Sequence, residues 1–127
     1  MFITIDPNDR RPIYQQVADA IKSLIARGEL TPGTQLPPVR QIAADLGVNL
    51  NTIATAYREL QTDGLIMVKH GSGAVVAPLN QTQKKPDAQE LRKPLRSALT
   101  ELILAGLPKR AILKIVAEEL GGLTRSK

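Results

Sequence analysis

Residues 37–63 hold two short helical repeats separated by three residues, and that arrangement leaves the chain few folds. Val39, Ile42, Ala43 and Leu46 fall at i, i+3, i+4 and i+7, and Ile53, Ala56, Tyr57 and Leu60 repeat the spacing. Each helix therefore carries one apolar stripe that must be covered. The break, Gly47-Val48-Asn49, is too short to separate domains. Gly47 can take the left-handed backbone that closes a helix, and Asn49 is a good N-cap for the next. Two helices joined this way form either an αα-hairpin inside some larger core or a helix-turn-helix, whose second helix enters the DNA major groove.

The polar face of the second helix favours the groove-reading form. Asn51, Thr55, Arg58 and Thr62 recur at i, i+4, i+7 and i+11, with Thr52 beside them. They bear amides, hydroxyls and a guanidinium, the groups that meet base edges and phosphates. An ordinary solvated face would be richer in Glu and Lys. Tyr57 lies on the apolar stripe, so the reading places its ring in the core.

Composition bounds the rest. The 127 residues suit one domain plus a small accessory piece. Aromatics are only 2%, so the core is built from Leu, Ile, Val and Ala, which suits helices. Cysteine is absent, which excludes a disulfide framework and a thiolate metal site. No stretch approaches the length of a membrane span, and acids and a proline stand where a signal peptide would be apolar. A cytoplasmic protein without membrane contact is the expectation. The net charge of +5 invites a nucleic-acid partner, yet residues 1–78 hold equal numbers of acidic and basic side chains. The excess sits in residues 79–127, so the local placement of Arg40, Arg58 and Lys69 must decide.

Along the chain, residues 2–5 alternate weakly as an extended arm. Pro12 opens a helix reaching to about Arg27, with Ile13, Val17, Ile21, Leu24 and Ile25 as its stripe. Gly33 in Thr31-Pro32-Gly33-Thr34 is free to take positive φ. Residues 65–69 and 74–77 are β-prone and flank His70-Gly71-Ser72-Gly73, a glycine-rich hairpin turn. A hairpin directly after a recognition helix is a wing, with Lys69, His70 and Gly71 at its tip. His70 is the only histidine, and no partner nearby gives it a catalytic or metal role.

Residues 79–90 are polar with prolines and read as a linker. Two helical patterns follow. The first starts near Pro94, with Leu95, Leu99, Leu102 and Ile103 on one face. The second covers about residues 109–120, with Ile112, Ile115, Val116 and Leu120 as its stripe, and Gly121-Gly122 ends it. Isolated helices shorter than ~12–15 residues are marginal in water, so these eight apolar residues need a partner surface. The expected organisation is a DNA-binding unit at 1–78, a linker at 79–90 and a helical dimerisation tail at 91–127.

Several stretches resemble the GntR family of bacterial transcriptional regulators. They are Pro12-Ile13-Tyr14-Gln15-Gln16, Gly28-Glu29-Leu30-Thr31-Pro32-Gly33, Leu36-Pro37-Pro38-Val39-Arg40-Gln41-Ile42-Ala43, Val48-Asn49-Leu50-Asn51-Thr52-Ile53, Ala56-Tyr57-Arg58-Glu59-Leu60, Gly64-Leu65-Ile66 and His70-Gly71-Ser72-Gly73. The short two-helix tail is similar to that of the YtrA-type subfamily. The resemblance implies a mainly α fold with a small β-hairpin: a winged helix-turn-helix plus a C-terminal two-helix dimerisation tail. It also implies a homodimer on double-stranded operator DNA with two-fold symmetry, and repression, often of a neighbouring transporter operon. Arg40 matches the family arginine that reaches DNA from the helix before the turn. Leu50, Asn51 and Thr52 match the start of the recognition helix, and His70-Gly71 the wing tip.

The expected DNA-binding set is thus Arg40, Asn49, Leu50, Asn51, Thr52, Thr55, Arg58, Lys69, His70 and Gly71. Many family members have arginine at the positions of Leu50 and Ala54, and serine at Pro38. Their absence moves the expected readout toward amide, hydroxyl and methyl contacts of the A·T type. A different class, a winged helix that binds proteins, remains open, because residues 1–78 are neutral. Some relatives fuse this domain to an aminotransferase-like half holding pyridoxal phosphate. No enzyme, cofactor or metal is expected here, since the residues after the linker are too few for that half and no nucleophile–base pair is present. The sequence leaves the operator, the regulated genes and any small-molecule effector undetermined.

Overall fold

The structure is a computed structural model that describes residues 3–69, 73–78 and 87–124, the side chain of Lys69 excepted. By packing, the chain divides into two compact units, Met1–Lys84 and Lys85–Lys127.

In the first unit, α1 (Ile13–Ala26), α2 (Val39–Leu46) and α3 (Leu50–Thr62) precede strands β1 (Ile66–Lys69) and β2 (Gly73–Val76). The stripes read from the sequence form the core. Val17, Ala18 and Ile21 of α1 and Ile53, Ala56 and Leu60 of α3 are wholly buried. Ile42 and Ala43 of α2 join them, with Val39 and Leu46 packed at the margin. α3 is the hub, packing on α1, on α2 and on β1. Burying so much of one helix is what holds it still while its other face stays free. Ile13 departs from the expected stripe of α1 and is 39% exposed.

β1 and β2 pair antiparallel, with Ile66 opposite Val76 and Lys69 opposite Gly73. The chain entering α2 adds a further strand-like pairing on the other edge of β2. Gln35 bridges Val75, Leu36 N–H donates to Ala74 O at 2.8 Å, and Gly33 N–H donates to Val76 O at 2.8 Å. Gly33 has φ +89°, as that turn requires. The sequence showed only a turn here, because a pairing this short leaves no alternation to read.

One buried glutamine fastens the N-terminal arm. Gln16 Oε1 accepts from Asp6 N–H at 2.9 Å, and its Nε2 donates to Arg11 O at 3.1 Å. Ile3 and Ile5 of the arm pack against the core.

The second unit contains α4 (Ala88–Leu104) and α5 (Lys109–Thr124). Both are longer than the sequence indicated. α4 starts at Ala88 rather than near Pro94, because Asp87 caps it by accepting from Gln89 N–H at 2.9 Å. Pro94 sits inside the helix. There it removes one hydrogen bond, to the carbonyl four residues back, without ending the helix. The start of α4 therefore takes up the last residues of the expected linker. α5 continues through Gly121-Gly122 to Thr124, whose hydroxyl bonds back to Leu120 O at 2.7 Å. Glycine costs helix about 1 kcal/mol relative to alanine, too little to enforce a stop.

Candidate nucleic-acid interface

The turn between α2 and α3 is built as its residue types dictate. Gly47 closes α2 at φ 68° and ψ 35°, the left-handed region. Val48 N–H then returns to Ala43 O at 3.0 Å. Asn49 has extended backbone, and its Oδ1 accepts from Asn51 N–H at 2.7 Å. Asn49 is thus committed to the start of α3, which it orients.

The outward face of α3 carries the residues singled out from the sequence. Leu50, Asn51 and Arg58 are exposed, and Thr52 and Thr55 are half-buried. Thr55 Oγ1 donates to Asn51 O at 2.8 Å, so its oxygen lone pairs are what it can offer outward. Arg40, on α2, is exposed. Tyr57 is buried and faces away from the surface. Its hydroxyl donates to Pro37 O at 2.6 Å, and burial raises its pKa well above the usual tyrosine value.

Two depressions border α3. Toward its start, a concavity of about 360 Å³ lies among Asn51, Thr52 and Thr55 and the first turn of α1 at Pro12, Ile13 and Tyr14. Toward its end, one of about 250 Å³ lies between Ala54, Arg58 and Gln61 and the hairpin at Val68 and Ala74. The part played by the start of α1 was missed in the sequence. Nothing local signals it, since it depends on how α1 crosses α3. Lys69 belongs to β1, its side chain lying outside the described atoms, and His70 and Gly71 lie outside the described residues.

Charge sorting explains how a neutral unit presents cations. Arg11 pairs with Asp9 at 2.6 Å and also with Asp19. Hydrogen bonds from the Arg11 side chain hold the Asp9 carboxyl below the usual carboxylate range. Lys22 joins Asp63 at 3.2 Å and Glu59 at 3.5 Å, tying α1 to the C-terminal part of α3. Burial works against the Lys22 charge, but the two carboxylates outweigh it and raise its pKa. Arg27 pairs with Glu29. Among the described residues, Arg40 and Arg58 have no acidic partner. The pairing of Arg40 with Glu59 that its position also allowed is not made; Glu59 faces Lys22.

In the second unit, Leu95, Ile103 and Leu120 are more than half exposed, as are Leu91, Leu104 and Leu113. Leu99, Leu102, Ile115 and Val116 are half-buried, and Ile112 is buried within the chain itself. Among the described residues no group of side chains is arranged to hold a metal ion. No helix among them is long and apolar enough to cross a membrane.

A capped helix with a polar outward face, set between a turn and a β-hairpin, defines a winged helix-turn-helix of the DNA-binding class. Residues 13–76 match the sequence profile of the bacterial regulatory proteins of the gntR family, and the chain belongs to that family. It is 39% identical over 75 residues to the HTH-type transcriptional repressor YtrA of Bacillus subtilis (strain 168). That alignment takes in 59% of this chain and 58% of the relative, so the chain spans little more than half of that repressor. Among solved structures, YtrA from Sulfolobus acidocaldarius, a GntR-family transcription factor, aligns at TM-score 0.62 and 40% identity. That match covers 77% of this chain and 97% of the other. The DNA-binding domain of AraR in complex with operator ORX1 aligns at TM-score 0.53 and 30% identity, over 59% of this chain and 93% of that one. The protein is thus a transcription regulator of the gntR family with a DNA-binding domain, and its relatives are named as regulators rather than enzymes.

Proposed function

We propose that this protein is a cytoplasmic repressor that binds a two-fold symmetric operator as a homodimer, with residues 1–78 reading DNA and residues 91–127 joining the copies. A neighbouring transporter operon is the expected target. The observation that carries the reading is the unpaired state of Arg40 and Arg58 beside the free amide and hydroxyl face of α3, while most acids of that unit are neutralised. α3 stands as a ridge between two depressions, a shape suited to the major groove with a phosphate backbone on either side. Asn51, Thr52 and Thr55 face the bases, Leu50 offers an apolar contact to a thymine methyl, and Arg40 and Arg58 reach bases or phosphates. Asn49 orients the helix. Lys69, His70 and Gly71 are assigned to the hairpin tip that follows the backbone.

The test begins with nuclease footprinting upstream of the protein's own gene, where an inverted repeat is expected. Arg40→Ala should then weaken binding to the protected duplex by ~1–3 kcal/mol, measured by fluorescence anisotropy. Unchanged affinity removes Arg40 from the interface. Wild-type log K should fall linearly with log salt. A flat salt dependence would favour a protein-binding winged helix instead.

A further inference from the structure

We infer that the second unit recognises another copy of itself by laying α4 antiparallel against the α5 of its partner, with charge selecting that pairing. The inference rests on the homodimer reading above and goes beyond it by naming which helix meets which, and in what direction.

The two helices are charged in opposite senses along their lengths. In the first half of α4, Arg92, Lys93 and Arg96 outnumber Glu90, which is taken up by Lys93 at 3.5 Å. Its second half carries Glu101 alone. α5 opens with Lys109, Arg110 and Lys114 and then carries Glu118 and Glu119. Laid antiparallel, the basic half of α4 meets the acidic half of α5, and Glu101 meets the basic start of α5. Laid parallel, base meets base and acid meets acid. Only the antiparallel arrangement is attractive at both ends.

The apolar surface follows the same plan. Leu91 and Leu95 are four residues apart on α4, beside Arg92 and Arg96, and both leucines are more than half exposed. Leu113 and Leu120 are seven apart on α5, and both are equally open. The α4 and α5 of one chain meet over only a short stretch, and among the described residues no ion pair joins them. Their complementary halves are therefore unsatisfied within a single copy. A two-fold axis makes the contact twice, each α4 receiving the other chain's α5.

The test uses two full-length variants, R92E/R96E and E118K/E119K. All four side chains are exposed, and the replacements are good helix formers. Each variant alone should self-associate roughly tenfold or more weakly than wild type in sedimentation equilibrium, with an unchanged circular dichroism spectrum. Mixed in equal amounts, they should form a heterodimer with wild-type affinity, because each α4 then faces an α5 of opposite charge. Recovery on mixing shows that both variants fold. Variants that dimerise as well as wild type overturn the charge-matched pairing while leaving the homodimer intact. Weakened variants that fail to recover on mixing also overturn it, since the contact then lies within one chain or between like helices. A monomeric wild type would remove the homodimer reading as well.

Discussion

Tyr57 joins two parts of the DNA-reading unit through one side chain. Its ring lies in the core, and its hydroxyl holds Pro37 O, 20 positions away, just where the chain enters α2. The ring's burial was legible from its place on the apolar stripe. The hydroxyl's acceptor was not, because periodicity reports a face and not a partner. Tyr57→Phe should cost about 0.5–1.5 kcal/mol at neutral pH, since it leaves that carbonyl unpaired. The sign of the pH effect follows from burial. In the unfolded chain a tyrosine ionises near 10.0, whereas the folded chain keeps this proton to higher pH. The unfolded state therefore loses its proton first, and stability falls as pH rises past the unfolded value. Urea unfolding at about pH 8 and about pH 11 should show the advantage of wild type over Tyr57→Phe shrinking at the higher pH. A constant difference would mean that the hydroxyl titrates freely. Arg40 teaches the complementary lesson. Its exposure was expected, but its lack of an acidic partner became visible only once Glu59 was seen to face Lys22.

At the scale of elements, the helix pair was readable because periodicity and end chemistry agreed. Gly47 and Asn49 occupy the backbone conformations their chemistry favours. Asn49→Ala should cost the first unit ~1 kcal/mol, as N-cap losses typically do. Thermal unfolding should show a drop of several degrees, because ~1 kcal/mol shifts a domain of this size by ~4–8 °C. An unaltered midpoint would mean that the Asn51 amide finds another acceptor. In the tail, end chemistry misled. Pro94 and Gly121-Gly122 resemble stops, yet both lie inside helices. A single residue's penalty is small beside the bonds and packing of a four-turn helix, and Asp87 supplies the earlier start. The longer α5 brings Gly122 and Leu123 into partly covered positions and leaves Leu120 outside. That redistribution could not be read from a pattern taken to end at Leu120.

For the whole molecule, net charge was the least informative quantity. The excess of cations lies in the tail, while the DNA-reading unit is neutral and gains its cationic face by pairing acids elsewhere. Sequence counts cannot reveal that sorting, which depends on which side chains end up adjacent. Removal of residues 91–127 should yield a monomer that holds a single half-site, with affinity much reduced on the full repeat. Analytical ultracentrifugation and a comparison of half-site and full-site duplexes would check it. A truncated protein that still sediments as a dimer would place the interface in the first unit. The hairpin bears on how such a molecule meets its duplex. Its strands are stitched to the chain on both sides of the helix pair, through Leu36 to Ala74 and through Leu65 to Ala77. Reading helix, approach segment and strands consequently form one stiff jaw whose shape is set during folding. Little backbone freedom is left to surrender on contact, so more of the binding free energy remains available to tell one base sequence from another.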